Sequence, residues 1–209
     1  MPCPPQPHCC CKGAPPQYLL RDSRSIRSNQ TVLVHAAAGG VGQLLVQLAV
    51  AAGACVMALA STAETTAVAA AAGAHATTTY AEDWVAIAQA FGEGGVDVAY
   101  DSVGSTVHDS LRAVRTGGHV IFYGMAGGNP QPVDPRILMD ASKTLTGGDL
   151  WNVLRTKEDR RNRAAGLFEG ARTGRLRVNI DARFALADGA AAHAHLESRR
   201  AAGKVLLIP

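Results

Sequence analysis

Small residues gather at one place in this chain where an apolar run gives way to a helical pattern. In "TVLVHAAAGGVGQLLVQLA", residues 31–49, Ala37, Gly39 and Gly42 fall in an Ala-x-Gly-x-x-Gly spacing. That spacing suits a ligand that needs bare backbone. The first small residue permits a tight turn, Gly39 lets the backbone approach a pyrophosphate, and Gly42 lets the next helix pack on its strand. The helix start, around Ala38, Gly40 and Val41, then offers unpaired N–H groups and a partial positive charge to phosphates. The chemistry implied is dinucleotide binding; a glycine-rich turn kept for packing alone is the bland alternative.

Which dinucleotide fits depends on the end of the second strand, roughly 20 residues on, where an NAD site places a carboxylate on the ribose 2′-hydroxyl. This chain has Ala60, Ser61 and Thr62 there, and no carboxylate before Glu64. A 2′-phosphate is admissible at such a place, and the hydroxyls of Ser61 and Thr62 are donors for it. NADPH is therefore expected over NADH.

Two more loops are expected at the carboxyl ends of strands, where open α/β sheets bind ligands. They are "DSVG" (Asp101, Ser102, Val103, Gly104) and "YGMAGG", which begins Tyr123, Gly124, Met125. Both are natural walls for a nicotinamide. The Asp101 side chain either belongs to that wall or serves as a cap or turn residue. His35 falls inside the expected first strand and reads as a core histidine; His193 and His195 read as structural or exposed. No catalytic side chain is assigned.

The elements that must position these residues follow from hydrophobic periodicity. Strands are expected at 31–37, 55–60 and 76–79, then in "VDVAYDSVG" and "HVIFYGMAGG"; helices at 43–52, in "TTAVAAAAGA", at 84–91 and at 107–114. Alternation at this spacing predicts an α/β fold with a Rossmann-type, doubly wound parallel sheet. The proline-rich "GGNPQPVDPRIL" interrupts it as a loop. Thr156 with Asp159 forms a capping-box pattern, followed by Ala164, Leu167, Phe168 and Ala171 at helical spacing. In the tail, "LRVNIDARFAL" reads as extended, "ADGAAAHAHLESRRAAG" as helical and "KVLLI" as a closing strand.

Composition excludes several classes. The formal charge is only +3, and the local basic groups lack interleaved aromatics, so nucleic acid is not an expected partner. No run reaches the ~20 apolar residues of a membrane span, and no secretory pattern opens the chain, so the expected location is cytoplasmic. Four of the five cysteines crowd "PCPPQPHCCCK". Adjacent cysteines do not converge easily on one ion, so residues 1–16 are expected to be a disordered leader, and no metal site is assigned. Cys55, inside an apolar run, is expected in the core.

With those residues in hand, the chain resembles the quinone oxidoreductase (zeta-crystallin-like) branch of the medium-chain dehydrogenase/reductases. The resemblance runs through "QYLLRDS", "TVLVHAAAGGVGQLLVQLA", "GACVMALAST", "VDVAYDSVG", "GGHVIFYGMAGG", "LTGGDLWN" and "HLESRRAAGKVLLIP". It implies NADPH-dependent, zinc-independent hydride transfer to a quinone or an α,β-unsaturated carbonyl (enone), and a homodimer. By position it implies that Tyr18 lies near the nicotinamide, Ser61 and Tyr80 near the adenosine end, and that Arg199 helps to hold the cofactor. Where family members carry a lysine after the serine–threonine pair, this chain has Thr65. The resemblance implies a GroES-like catalytic domain ahead of residue 17, where the cysteine-rich leader is expected to stand in its place. The expected organisation is a dinucleotide domain over 17–178 and a C-terminal remnant of the catalytic domain over 179–209, bearing apolar surface. A nucleotide-binding fragment without turnover, and a structural role without cofactor, are the competing readings.

Overall fold

The computed structural model describes residues 14–198 and 201–209. Six parallel strands form the main sheet: β1 (Thr31–Val34), β2 (Cys55–Ala60), β3 (Ala76–Thr79), β4 (Val96–Asp101), β5 (Val114–Phe122) and β6 (Thr144–Gly147). Their order is β3-β2-β1-β4-β5-β6. The chain winds outward from β1 to one edge, returns, and winds to the other. This is the Rossmann-like doubly wound fold, and it leaves a crevice between β1 and β4 where the winding reverses.

The helices are α1 (Ala14–Tyr18), α2 (Gly42–Ala51), α3 (Ala63–Ala71), α4 (Trp84–Phe91), α5 (Val107–Ala113), α6 (Pro135–Asp140), α7 (Lys157–Arg172) and α8 (Gly189–Glu197). Because both faces of the sheet are covered, its strands are apolar on alternate residues in both directions. Val32 and Val34 pack with Leu45, Val46 and Leu19 on one face. Leu33 packs with Met57, Leu59, Trp84 and Leu111 on the other. A small parallel pair, β7 (Ile180–Ala185) and β8 (Lys204–Ile208), is bridged by α8.

Several expectations need correcting. Helix α1 begins at Ala14, within the span expected to be disordered; the leader's other residues, 1–13, lie outside the described residues. Cys55 is exposed, because it opens β2 at the bottom of the sheet while the five residues after it are buried. The first strand stops at Val34, since the chain turns at His35. The proline-rich loop contains α6, started by Asp134, whose side chain accepts from the Arg136 N–H, with proline in the first turn. The apolar positions of α7 are not its buried face. Phe168 is 67% exposed, and α7 instead approaches its neighbours through Gly166 and Gly170, where an added Cβ would lie 3.2 Å from Gln17 and 2.8 Å from Leu176.

Candidate dinucleotide site

The glycine turn is built at the switch point. The His35 N–H donates to Tyr100 of β4 and the Ala37 N–H to Leu59 of β2, each at 3.0 Å, so the turn is tied to both neighbouring strands. Ala36 takes a left-handed φ of 47°, a strained conformation for a residue with a Cβ, and its N–H is held by Tyr80 Oη at 3.0 Å. Gly42 is forced by contact: a Cβ there would sit 2.4 Å from the Ala36 carbonyl oxygen and 2.7 Å from Ala37 Cα. At Gly39 the nearest atom to an added Cβ is the Ala36 oxygen at 3.2 Å. The crowding at Gly42 is therefore internal to the fold. Gly39 is less crowded, with that one oxygen as its close contact.

Helix α2 starts at Val41 with no side-chain cap and no acidic residue in its first turn. The Gly39 N–H donates to Ala36 and the Gln43 N–H to Gly39, so the N–H groups left for an anion are those of Gly40, Val41 and Gly42. Lys204, delivered by β8 from 164 positions away, donates from Nζ to the Gly40 carbonyl at 2.9 Å and brings a cation to the same turn. Gln43 fastens the turn from inside through Ala38 O at 2.6 Å.

At the end of β2, Ser61 is exposed and Thr62 caps α3. Thr62 and Thr65 form a reciprocal capping box: the Thr65 N–H donates to Thr62 Oγ1 at 3.3 Å, and the Thr62 N–H to Thr65 Oγ1 at 3.0 Å. Thr65, where the family lysine is absent, is thus engaged in starting a helix. Glu64 is fully exposed, and its carboxyl is held below the usual range chiefly by a hydrogen bond with the Thr62 side chain. An ionised carboxylate therefore borders the hydroxyl pair expected to face a 2′-phosphate.

The two anticipated nicotinamide loops are brought together. Tyr123, Ala126 and Gly127 donate backbone N–H groups to the carbonyls of Asp101, Ser102 and Val103 at 2.8–3.0 Å. Gly104 has φ 87°, and a Cβ there would meet the Gly128 oxygen at 2.3 Å. Met125 is 58% exposed on this rim, and Gly124 lies against Ser102. The Asp101 side chain is not a wall. It is fully buried, and its Oδ1 accepts from the N–H groups of Val103 (2.8 Å) and Gly104 (3.0 Å), while Oδ2 accepts from Thr106 and Ser110, both at 2.7 Å. Burial alone would raise its pKa, but these hydrogen-bond donors hold it below the ordinary value.

His35 is buried and sits just past the end of β1. Burial pushes its pKa down, against the pull of Asp101 and Asp109. Tyr80 packs beside it with its hydroxyl engaged by Ala36 and His35, rather than free toward an adenosine. Tyr18 is half-buried against the α2-side core. The Tyr123 hydroxyl is buried without a well-formed hydrogen bond; burial raises its pKa to about 12, with the Ser102 side chain opposing. Arg199 lies outside the described residues.

Among the described residues no three His, Cys, Asp or Glu side chains converge as a metal site. Depressions of about 610 and 820 Å³ lie on the helical face, the first between α1, α2 and α7 and the second between α2 and α3. Neither includes Ser102–Gly104 or Tyr123–Met125. Lys204 and the capping role of Thr65 escaped the sequence reading. The first has no local signal, and the second has only Thr-x-x-Thr, without the usual Glu or Gln.

The sequence model described as "Zinc-binding dehydrogenase" matches residues 40–163. A quinone oxidoreductase of Pseudomonas aeruginosa is 36% identical over 202 residues, which is 95% of this chain and 62% of that protein. A 2-haloacrylate reductase of a Burkholderia species is 33% identical over 205 residues, 95% of this chain and 61% of its own length. The crystal structure of Escherichia coli quinone oxidoreductase complexed with NADPH superposes with a TM-score of 0.88 at 34% identity, covering 95% of this chain and 63% of that one. The chain thus spans about three fifths of the length of the curated relatives it matches.

Proposed function

The chain belongs to the zinc-binding dehydrogenase family, and from that premise we propose that it binds NADPH and transfers hydride to a quinone or an α,β-unsaturated carbonyl. The observation that carries the reading is the uncapped start of α2 behind a Gly39 that faces outward at the sheet's switch point. The pyrophosphate would lie against the N–H groups of Gly40, Val41 and Gly42, with Lys204 beside it. The 2′-phosphate would meet Ser61 and Thr62, and the nicotinamide would lie between Ser102–Gly104 and Tyr123–Met125.

When bound, the nicotinamide supplies the hydride. The chain's own contribution is orientation: two loops zipped by backbone hydrogen bonds and a turn fixed to β2 and β4. The residues present do not fit the zinc in the family's description, since no donor set of three is assembled among the described residues. The resemblance to the quinone oxidoreductases is what supports reading the chemistry as zinc-independent. Residues 17–178 form the dinucleotide unit on this reading. Residues 179–209 belong with the catalytic domain of longer relatives; a homodimer in the cytoplasm completes the proposal.

Binding without turnover is the second reading, since the chain spans about three fifths of the length of the curated relatives it matches. Calorimetric titration with NADPH and NADH, followed by a quinone and enone turnover assay, separates the two. Saturable NADPH binding with turnover supports hydride transfer, and binding alone supports the second reading. Gly39→Val should abolish binding, because a branched side chain fills the space a pyrophosphate needs. Unchanged affinity in a folded Gly39→Val protein would remove the site.

A further inference from the structure

Four polar side chains, from the ends of β1, β3 and β4 and from α5, meet behind the glycine turn, and their protons can be placed by counting. Ser110 Oγ lies 2.7 Å from Asp101 Oδ2 and 3.0 Å from His35 Nε2. The Asp101 carboxylate only accepts, so the single serine proton goes to it. Ser110 must then accept from His35, which puts the ring proton on Nε2. His35 Nδ1 is left as an acceptor, 3.3 Å from Tyr80 Oη, so the tyrosine proton points to it. The Tyr80 oxygen is in turn free to accept from the Ala36 N–H at 3.0 Å. Every donor is used once and in one direction, from Ala36 through Tyr80, His35 and Ser110 to Asp101.

The two ends of this line are the two parts of the groove. Ala36 sets the left-handed corner of the glycine turn. Asp101 holds Val103, Gly104 and Thr106 of the β4–α5 loop. The line works only with a neutral imidazole, because a second ring proton would face the Tyr80 hydroxyl and leave it without an acceptor. The surroundings keep it neutral: the ring is buried, with the Trp84 ring edge-on at a centroid distance of 5.1 Å. Asp101 and Asp109 pull the other way but do not offset burial.

We propose that His35 is a positioning residue that joins the glycine turn to the β4–α5 loop, so that both walls of the groove are set as one unit and loosening either end loosens the other. That these walls hold NADPH rests on the function proposed above; the coupling itself does not.

The experiment uses the full chain and the variants Tyr80→Phe, Ser110→Ala and both together, each of which removes one hydroxyl. Calorimetry gives the NADPH dissociation constant, and amide hydrogen exchange gives the protection of residues 102–106. Groups in one hydrogen-bonded network couple, whereas independent ones do not. The expected result is that the two effects on affinity fail to multiply, by about threefold or more, and that Tyr80→Phe speeds exchange at Val103 and Gly104. His35→Leu should erase the non-additivity. Effects that multiply, with unchanged exchange at Val103 and Gly104 in Tyr80→Phe, would overturn the coupling. A wild-type chain that binds no NADPH would instead sink the proposed function, and the exchange result alone would then decide for or against the network.

Discussion

Adding a single methyl group to each glycine of the turn separates what the fold requires from what a ligand requires. At Gly42 the new Cβ would lie within 2.4–2.9 Å of three backbone atoms of Ala36 and Ala37. Those atoms are pinned, because Ala37 is hydrogen-bonded to β2 and Ala36 to Tyr80. Overpacking against atoms that cannot yield costs about 3 kcal/mol, and the helix propensity of alanine returns at most about 1 kcal/mol. A net loss of about 2 kcal/mol should lower the melting temperature of Gly42→Ala by roughly 4–8 °C. At Gly39 the only close atom is that same Ala36 oxygen, but at 3.2 Å instead of 2.4 Å the overlap is slight and little relief is needed. Gly39→Ala should therefore melt within about 1 kcal/mol of wild type while its NADPH affinity falls more than about tenfold, a loss of ~1.4 kcal/mol. Gly40→Ala meets first the flexible end of Lys204, at 2.7–3.0 Å. It should cost about the 1 kcal/mol of one hydrogen bond. Differential scanning calorimetry with cofactor titration reads all three. Equal melting temperatures for Gly39→Ala and Gly42→Ala would show that the turn is not divided between fold and ligand, and would defeat the reasoning.

Thr65→Lys should tighten NADPH over NADH by about 5–30-fold, the 1–2 kcal/mol of a charge-assisted contact at a partly exposed site. It should also lower stability by about 0.5–1 kcal/mol, because half of the Thr62–Thr65 capping box is lost; equal gains for both cofactors would mean that the 2′-phosphate lies elsewhere. Burial depresses the folded pKa of His35, so the unfolded chain takes up a proton first as pH falls below about 6.5, and stability should drop by up to roughly 1.4 kcal/mol per pH unit. His119 is shifted the same way by burial and Arg24, so His35→Gln should flatten the loss between pH 6.5 and 5 without removing it. A slope unchanged by His35→Gln, in urea unfolding at stepped pH, would show that this histidine is not buried neutral. In the tail, Ile180, Leu207 and Ile208 are 37–44% exposed. Leu207→Ser with Ile208→Ser should reduce self-association in analytical ultracentrifugation, and an unchanged sedimentation profile would place the contact on another surface.

Period-2 and helical patterns were enough to read five strands of the main sheet and the helices between them, because a strand buried on both faces leaves an apolar run that surface loops do not mimic. The bounds of β2, β3, α4 and β8 agree with the expected ones. The glycine turn was legible for the same local reason, since backbone bareness is written directly in residue type. Partners across the fold were not legible. Asp101 and His35 are neighbours only because β1 and β4 pair in register. Ser110 reaches both from α5, and Tyr80 reaches His35 from beyond β3, separations of 75 and 45 positions that no spacing rule encodes. Lys204 arrives at Gly40 in the same manner. The exposure of Cys55 was misread because an apolar residue in an apolar run has no mark of which end the neighbours leave open. Local sequence thus determined where the backbone is bare and where strands and helices lie. The parallel order of the sheet decided which polar side chains meet behind the turn, because burial leaves each of them only the partners that the packing brings within hydrogen-bonding distance.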